Sequence, residues 1–218
     1  MLSEATQDYL KTIYSLRESG DNAPVTTQRL AQALSVAAPS ATAMVKKLAV
    51  LKLVSHTPYH GVELTANGER VALEIIRHHR LIETFLAQAL GVPWDKVHDE
   101  AERWEHVLSE EVEARMAEVL NHPTHDPHGS PIPTLEGSVA REVCVALSEL
   151  QAGQEREVRR VADEDPALLR HLDKVGLRPG ARVLVLRHDA TEGIMHLKVD
   201  DQKRLLGTQP AREVWMAA

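Results

Sequence analysis

The sequence predicts a mainly α-helical protein with a small β domain at its C-terminal end. Apolar residues recur at helical spacing over most of residues 3–120, which favours helices there. Two short β-prone runs near residue 58 surround a Pro and Gly turn, as in a hairpin. After about residue 145 short β-prone runs separated by turn residues replace the helical pattern, as in a small barrel. We therefore predict three domains, at residues 1–72, 73–143 and 144–218.

Composition and charge limit the class of protein. The hydrophobic fraction is 43%, enough for a buried core, and the one cysteine, Cys144, excludes an intrachain disulfide framework and a thiolate zinc cluster. The sequence shows neither a signal-peptide apolar region nor the ~18-residue apolar run of a membrane span, so we expect a cytoplasmic protein. The net charge is −7, but residues 1–80 carry nine Lys or Arg against seven Asp or Glu. The first domain could therefore bind phosphates, whereas the whole chain would not coat nucleic acid nonspecifically.

Three helices are predicted before the hairpin. The first covers residues 3–19, and a short helix over residues 25–34 follows it, with Thr26 or Thr27 as its N-cap. Pro39 then opens a third helix, at a position that tolerates the missing N–H group. Three helices and a hairpin within about seventy residues form the pattern of a winged helix-turn-helix.

The third helix has the composition of a DNA-reading helix. Its N-terminal end carries small and hydroxyl side chains that fit a major groove, and Lys46 and Lys47 follow one turn later, toward phosphate. Winged helices also bind proteins, but these features favour double-stranded DNA. The candidate DNA-contacting residues are Thr27, Gln28, Arg29, Ala37, Pro39, Ser40, Lys46 and Lys47.

Two further helices are predicted after the hairpin. The first, from about residue 65 to 86, carries His79 and Glu83 at i, i+4, a spacing equally common for metal ligands and for plain surface pairs. The second is expected to run without a break from His98 to about Leu120. It has more apolar surface than a two-helix unit can bury, so we predict a homodimer interface. The residues of that surface are Trp104, Val107, Leu108, Val112, Met116 and Leu120.

The start of that second helix carries a stripe of potential metal ligands. On a helix turning about 100° per residue, His98, Glu102, Glu105 and His106 share one face, and all can donate lone pairs to a cation. His98 and His106 are about 12 Å apart along such a helix, which is too far for one ion. The alternative is an acidic surface helix with incidental histidines.

The last part of the chain is read as a loop followed by a β domain. Residues 121–137 are Pro-rich, and a solvated loop is favoured over metal binding by His122, His125 and His128. Strands are predicted at four places, with one helical insert at about 163–172. The predicted strands are 155–162, 181–187, 193–199 and 211–216.

Taken together, the motifs resemble those of a known family. The most specific segments are 8–14, 79–83, 96–106 and 129–133. In these segments and in the order of its domains, the chain resembles the iron- and manganese-dependent repressors related to the diphtheria toxin repressor and the manganese transport regulator. The resemblance implies a winged helix-turn-helix, a helical metal-binding and dimerisation domain, and a C-terminal SH3-like barrel. It also implies a homodimeric, non-enzymatic repressor of metal homeostasis genes on palindromic operator DNA.

The resemblance further implies two metal sites per subunit. The principal site takes Asp8, Glu102, Glu105 and His106. The second site takes His79, Glu83 and His98, with further ligands from the barrel among Asp163, Glu164 and Asp165.

The principal ligands favour manganese over iron. Asp8 and Glu102 stand where the iron-type repressors have Met and Cys, and an oxygen-rich ligand set suits Mn²⁺, with Fe²⁺ second. Two positions depart from the family. Lys11 replaces a glutamate of the manganese-type members, and Ala43 replaces a glutamine of the DNA-reading helix.

The expected mechanism uses Asp8 as a link. Metal neutralises carboxylates that otherwise repel one another and draws the N-terminal helix onto the dimer core, so that the reading helices match a palindrome. One alternative is a winged-helix regulator that senses another ligand or a partner protein. A metallohydrolase is the other alternative, but the sequence has no HExxH or nucleophile motif.

Overall fold

The computed structural model describes residues 2–18, 24–57, 61–189 and 191–218. The chain divides into two compact units. The first unit contains residues 1–78, 105–107 and 133–138. The second unit contains residues 79–104, 108–132 and 139–218. Among the described helices, none combines the length and the apolar character needed to cross a membrane.

The first unit consists of helices and a hairpin around one apolar core. Its elements are α1 (Glu4–Glu18), α2 (Thr27–Ala33), α3 (Ala38–Val50), β1 (Val54–Thr57), β2 (Gly61–Leu64) and the part of α4 (Ala66–Gln88) that ends at His78. Thr26 is the N-cap of α2, and its side chain accepts a hydrogen bond from the backbone N–H of Arg29. The buried apolar residues of α1 and α3 are Tyr9, Leu10, Ile13, Ala41, Val45 and Leu48.

The hairpin confirms the winged helix-turn-helix pattern. β1 and β2 are antiparallel, with Val54 opposite Leu64 and Thr57 opposite Gly61, and the turn predicted at 58–60 lies outside the described residues. Residue 25 extends this pairing, because its backbone exchanges hydrogen bonds with Val62 in both directions. Helix, helix, helix and hairpin therefore follow in the predicted order.

The predicted unbroken helix from His98 to Leu120 is wrong, because the chain forms two helices there. They are α5 (Val97–Trp104) and α6 (Glu110–Val119). Two features stop α5, one local and one tertiary. Ser109 caps α6, accepting a hydrogen bond from the backbone N–H of Val112, and the backbone carbonyl of Glu105 lies 3.1 Å from Nδ1 of His78. A second N-cap and a tertiary contact thus end a helix that periodicity alone would continue.

The C-terminal part of the second unit is a six-stranded antiparallel sheet. Its strand order is β3-β8-β4-β5-β6-β7. Its elements are β3 (Cys144–Ala146), β4 (Glu155–Val161), α7 (Pro166–Val175), β5 (Arg182–Asp189), β6 (Ile194–Val199), β7 (Gln202–Gly207), α8 (Thr208–Ala211) and β8 (Val214–Ala217), with a short 3₁₀ turn at Leu147–Glu149. One continuous apolar core lies against this sheet.

Three of the four predicted strands are confirmed as β4, β5 and β6. The strand predicted at 211–216 begins three residues late, because α8 extends to Ala211 and β8 starts at Val214. β3 and β7 were not predicted. β7 starts with Gln202, Lys203 and Arg204 and pairs only with β6, so it is an edge strand whose polar residues hide the usual apolar alternation.

The Pro-rich segment after α6 has no helix or strand in its described residues, as predicted, but it is partly buried. Oδ1 of Asp126 accepts hydrogen bonds from the backbone N–H groups of His128 and Ser130, at 2.8 and 2.9 Å. Gly129 has φ +89°, and a Cβ there would lie 1.9 Å from the carbonyl oxygen of Arg159. This close approach needs glycine. The expectation of a solvated loop is therefore wrong at His128, which is fully buried.

Candidate metal centre

Three of the four ligands predicted for the principal site come together in the first unit. Asp8, Glu105 and His106 form a group that we call the Asp8 cluster, and each offers a ligand atom within 4.8 Å of the others. Nε2 of His106 lies 2.8 Å from Oδ1 of Asp8 and 3.5 Å from Oε1 of Glu105. The turn after Trp104 supplies Glu105 and His106, and α1 supplies Asp8. These side chains therefore meet because α1 and the turn after Trp104 lie together, and not because they share one face of a single helix.

The histidine of the Asp8 cluster is oriented for metal binding. Nδ1 of His106 donates a hydrogen bond to Oε1 of Gln7 at 2.9 Å. Nε2 therefore faces the two carboxylates and would be the atom that binds a metal between them, while the other ring nitrogen is held by a hydrogen bond, as is usual for a metal-binding histidine. Gln7 was not identified from the sequence, because an exposed-looking glutamine next to an aspartate carries no distinguishing signal.

A lysine also contacts the Asp8 cluster. Nζ of Lys11 lies 2.9 Å from Oε1 and 2.8 Å from Oε2 of Glu105. The Glu105 side chain is fully buried, while that of Lys11 is 18% exposed. Lys11, the position noted as a departure from the family, is thus an ion-pair partner of a predicted ligand.

The predicted second-site residues also meet, within the second unit. His79, Glu83 and His98, which we call the His98 cluster, have ligand atoms within 4.8 Å of one another. Nε2 of His79 lies 3.1 Å from Oε1 of Glu83 and 3.1 Å from Nδ1 of His98. Glu102, predicted for the principal site, has its Oε1 3.5 Å from Nδ1 of His79 and 3.8 Å from Nε2 of His98.

The other oxygen of Glu83 belongs to a group that the sequence did not predict. Glu83, Asp126, His128 and Asp163 form the His128 cluster, again with ligand atoms within 4.8 Å. Nδ1 of His128 lies 3.7 Å from Oε2 of Glu83, an ion-pair distance rather than a hydrogen bond, and 3.8 Å from Oδ2 of Asp163. Asp163 was one of three barrel candidates. Asp126 and His128 were missed because a polar pair in a Pro-rich segment indicates solvent, and their burial arises from tertiary contacts.

Three atoms of the His128 cluster are buried and lack a hydrogen-bond partner. They are Oε2 of Glu83, Oδ2 of Asp126 and Nδ1 of His128. Nε2 of His128 donates to the carbonyl oxygen of Trp94 at 2.8 Å, which leaves Nδ1 facing the carboxylates. Arg80 is the nearby cation, with Nε 3.7 Å from Oδ2 of Asp126. Buried polar atoms without partners are costly, and this set is chemically suited to a divalent cation.

Three members of the His128 cluster, Glu83, Asp126 and His128, have shifted pKa values. Burial raises the pKa of Asp126 to about 7, and the negative charge of Glu83 adds to that shift. Burial opposes protonation of His128, but the interaction with Glu83 outweighs it and raises the pKa of His128 to about 9. For Glu83, burial is likewise outweighed, and its contacts with His128, His79 and His98 keep its pKa well below the usual range. At neutral pH and without metal, Glu83 is therefore anionic and His128 is protonated, and the attraction between them stabilises the cluster.

The remaining histidines of the Pro-rich segment do not join these clusters. His122 is exposed, and Nε2 of His125 lies 3.1 Å from Oε1 of Glu142. The reading of a solvated loop holds for His122.

The candidate DNA-contacting residues lie on the outside of the first unit. α3 turns Ala41, Val45 and Leu48 into the core. Its N-terminal end and its two lysines are on the opposite, solvent-exposed side. The exposed candidates are Gln28, Arg29, Ala37, Pro39, Ser40, Lys46 and Lys47, and Thr27 is half-buried.

Comparison with known protein families gives three matches along the chain. Residues 1–62 match "Iron dependent repressor, N-terminal DNA binding domain". Residues 65–134 match "Iron dependent repressor, metal binding and dimerisation domain", and residues 145–217 match "FeoA domain".

Individual proteins with similar sequences and structures are known. The iron-dependent repressor IdeR of Mycobacterium leprae is 37% identical over 196 residues, 84% of each chain. The diphtheria toxin repressor of Corynebacterium diphtheriae is 38% identical over 135 residues, covering 62% of this chain and 59% of that one. A solved manganese-dependent transcriptional repressor in complex with manganese has a TM-score of 0.90 at 37% identity, covering 98% and 99% of the two chains. ScaR with bound Zn²⁺ has a TM-score of 0.79 at 32% identity, covering 97% and 98%.

Proposed function

Since this chain belongs to the iron-dependent repressor family, whose members are metal-dependent DNA-binding transcriptional repressors, we propose that it represses metal homeostasis genes in response to Mn²⁺, with Fe²⁺ as the second choice. The observation that carries the proposal is the meeting of Asp8, Glu105 and His106. We assign DNA binding to residues 1–72, metal binding and dimerisation to 73–143, and the SH3-like FeoA domain to 144–218.

The first metal site would use the Asp8 cluster, with Glu102 as the predicted fourth ligand. Support comes from the orientation of His106, whose Nε2 faces the carboxylates while Nδ1 is held by Gln7. A bound divalent cation would offset the negative charge that Asp8 and Glu105 bring to one place. Three of these four ligands are carboxylates and none is sulfur, which favours Mn²⁺.

We place the second site on the Oε2 side of Glu83, with Asp126, His128 and Asp163. The three buried atoms without hydrogen-bond partners support this choice. On the Oε1 side, by contrast, His79 already lies at hydrogen-bond distance from both Glu83 and His98. His79 and His98 would then orient Glu83. In H128A the second ion should be lost, whereas H98A should only weaken it. The opposite ranking would return the site to His79, Glu83 and His98, as first predicted.

Operator recognition would use the exposed end of α3, in a homodimer. Exposed apolar residues of the helical domain support dimerisation, since Trp104, Val107 and Val112 are 38%, 74% and 46% exposed. Asp8 joins α1 of the DNA-binding domain to the Glu105 and His106 turn. Holding these carboxylates together would fix α1, and through it the two reading helices of the dimer, at the spacing of a palindrome.

The test is a metal titration of DNA binding. A duplex is first selected from random DNA by the full-length protein with Mn²⁺, and its affinity is then measured by fluorescence anisotropy with Mn²⁺, Fe²⁺, Zn²⁺ or chelator. D8A and E102A should lose the metal-stimulated binding, whereas E74A, which removes an exposed carboxylate of α4, should keep it. Equal DNA binding in chelator and in Mn²⁺ would refute a metal-dependent repressor.

A further inference from the structure

Lys11 occupies a position that concerns metal binding directly. Its ammonium group contacts both oxygens of Glu105, at 2.9 and 2.8 Å. Lys11 and Asp8 are three residues apart on α1, so they share one face of the helix. α1 therefore supplies both an anion and a cation to this cluster: Asp8 contacts His106, and Lys11 contacts Glu105.

The Glu105 oxygen that faces His106 is one of the two oxygens that Lys11 contacts. Oε1 of Glu105 lies 3.5 Å from Nε2 of His106 and 2.9 Å from Nζ of Lys11. A metal bound by Asp8, Glu105 and His106 would have to share this carboxylate with the ammonium group or displace it. Two cations at one buried carboxylate repel each other.

Burial makes this competition strong. The Glu105 side chain is fully buried, and that of Lys11 is 18% exposed. A buried carboxylate without a positive partner is strongly disfavoured. The ion pair with Lys11 therefore stabilises the metal-free protein more than the metal-bound protein, in which the metal supplies positive charge. Lys11 thus stabilises the metal-free state by the same interaction that metal binding must weaken.

We propose that Lys11 is a tethered cation that competes with metal for Glu105 and so sets the metal concentration at which the first site fills. The inference rests on the proposed function of the Asp8 cluster. It makes Lys11 a determinant of the response threshold, without direct contact between Lys11 and the metal. Removing the charge should raise metal affinity, because the metal-free state loses its counter-ion and the bound state loses a repulsion.

The experiment compares Mn²⁺ binding by wild type, K11M, K11Q and K11R in the full-length protein. Affinity and stoichiometry are measured by calorimetry and by the electron paramagnetic resonance of free Mn²⁺, in an H128A background so that only the first site is counted. K11M and K11Q should bind Mn²⁺ roughly tenfold or more tightly than wild type. K11R keeps the charge and should stay near wild type, as should K174M, which removes an exposed lysine of α7.

A second readout separates competition from positioning. Without metal, K11M should melt at a lower temperature than wild type, and saturating Mn²⁺ should close most of that gap. If K11M and K11Q bound Mn²⁺ equally or more weakly, Lys11 would be positioning Glu105 and the competition would be refuted. H128A is first shown to be folded in chelator by far-UV circular dichroism. If this folded protein bound no Mn²⁺, or if its binding survived D8A, the first metal site of the proposed function would fail instead.

Discussion

Replacing His128 with leucine should destabilise the metal-free protein strongly. His128 is fully buried, donates from Nε2 to the carbonyl oxygen of Trp94 and lies 3.7 Å from Oε2 of Glu83. Leucine would leave the Glu83 carboxylate buried without this cation and the Trp94 carbonyl without its donor. Removing one partner of a buried ion pair costs about 3–5 kcal/mol.

The pKa of His128 gives an independent figure for the same interaction. The pKa rises from 6.5 to about 9 in the folded protein. That shift of roughly 2.5 units, at about 1.36 kcal/mol per unit, corresponds to about 3 kcal/mol. Because the folded pKa is raised, this stabilisation is fully present below about pH 6.5 and is lost as the pH rises through about 9.

The assay is denaturant unfolding in chelator at pH 6 and at pH 9, followed by far-UV circular dichroism. H128L should lose about 3–5 kcal/mol at pH 6 and clearly less at pH 9. H171L replaces an exposed histidine of α7 and serves as the control, with little change expected at either pH. A loss below about 1 kcal/mol at pH 6, or a loss that grows toward pH 9, would refute the assignment of His128 as a buried cation.

Three further predictions follow from the same structure. G129A should lower the free energy of unfolding by about 2 kcal/mol or more and weaken the second metal site. The reason is that residue 129 has φ +89° and that a Cβ there would lie 1.9 Å from the carbonyl oxygen of Arg159. Wild-type stability of G129A in denaturant unfolding would contradict this. Mn²⁺ affinity at the second site, measured by calorimetry, should rise between pH 7 and 9. His128 has a pKa of about 9 and must lose its proton before Nδ1 can bind the metal. An affinity that does not change with pH would exclude Nδ1 as a ligand. K46A should reduce the slope of log K against log salt for operator binding by about 1, and an unchanged slope would remove Lys46 from the phosphate contacts.

The first domain could be predicted well because its signals are local. Helical periodicity, the cap at Thr26, the helix-opening Pro39 and the β-prone runs around residue 58 each report on a few neighbouring residues, and the structure follows them. The metal ligands could not be obtained from periodicity. The resemblance to a family supplied them, and the helical stripe that first drew attention to residues 98–106 is broken after Trp104.

The errors share one physical cause. The end of α5 depends on a contact between the Glu105 carbonyl and His78, which are far apart in sequence. The burial of Asp126 and His128 depends on Trp94 and on the close passage of Gly129 past Arg159. Local patterns contain no information about such contacts, so a polar pair in a Pro-rich segment was read as solvated.

Glu83 presents one oxygen to the His98 cluster and the other to the His128 cluster, so mutating Glu83 cannot separate the roles of the two clusters. Any change at this position alters both groups at once, so a phenotype of E83A could not be attributed to either. Separate dissection has to use the outer members, His98 for one group and His128 for the other. Because Glu83 is shared, one missense mutation at this codon would disrupt the His98 cluster and the His128 cluster together.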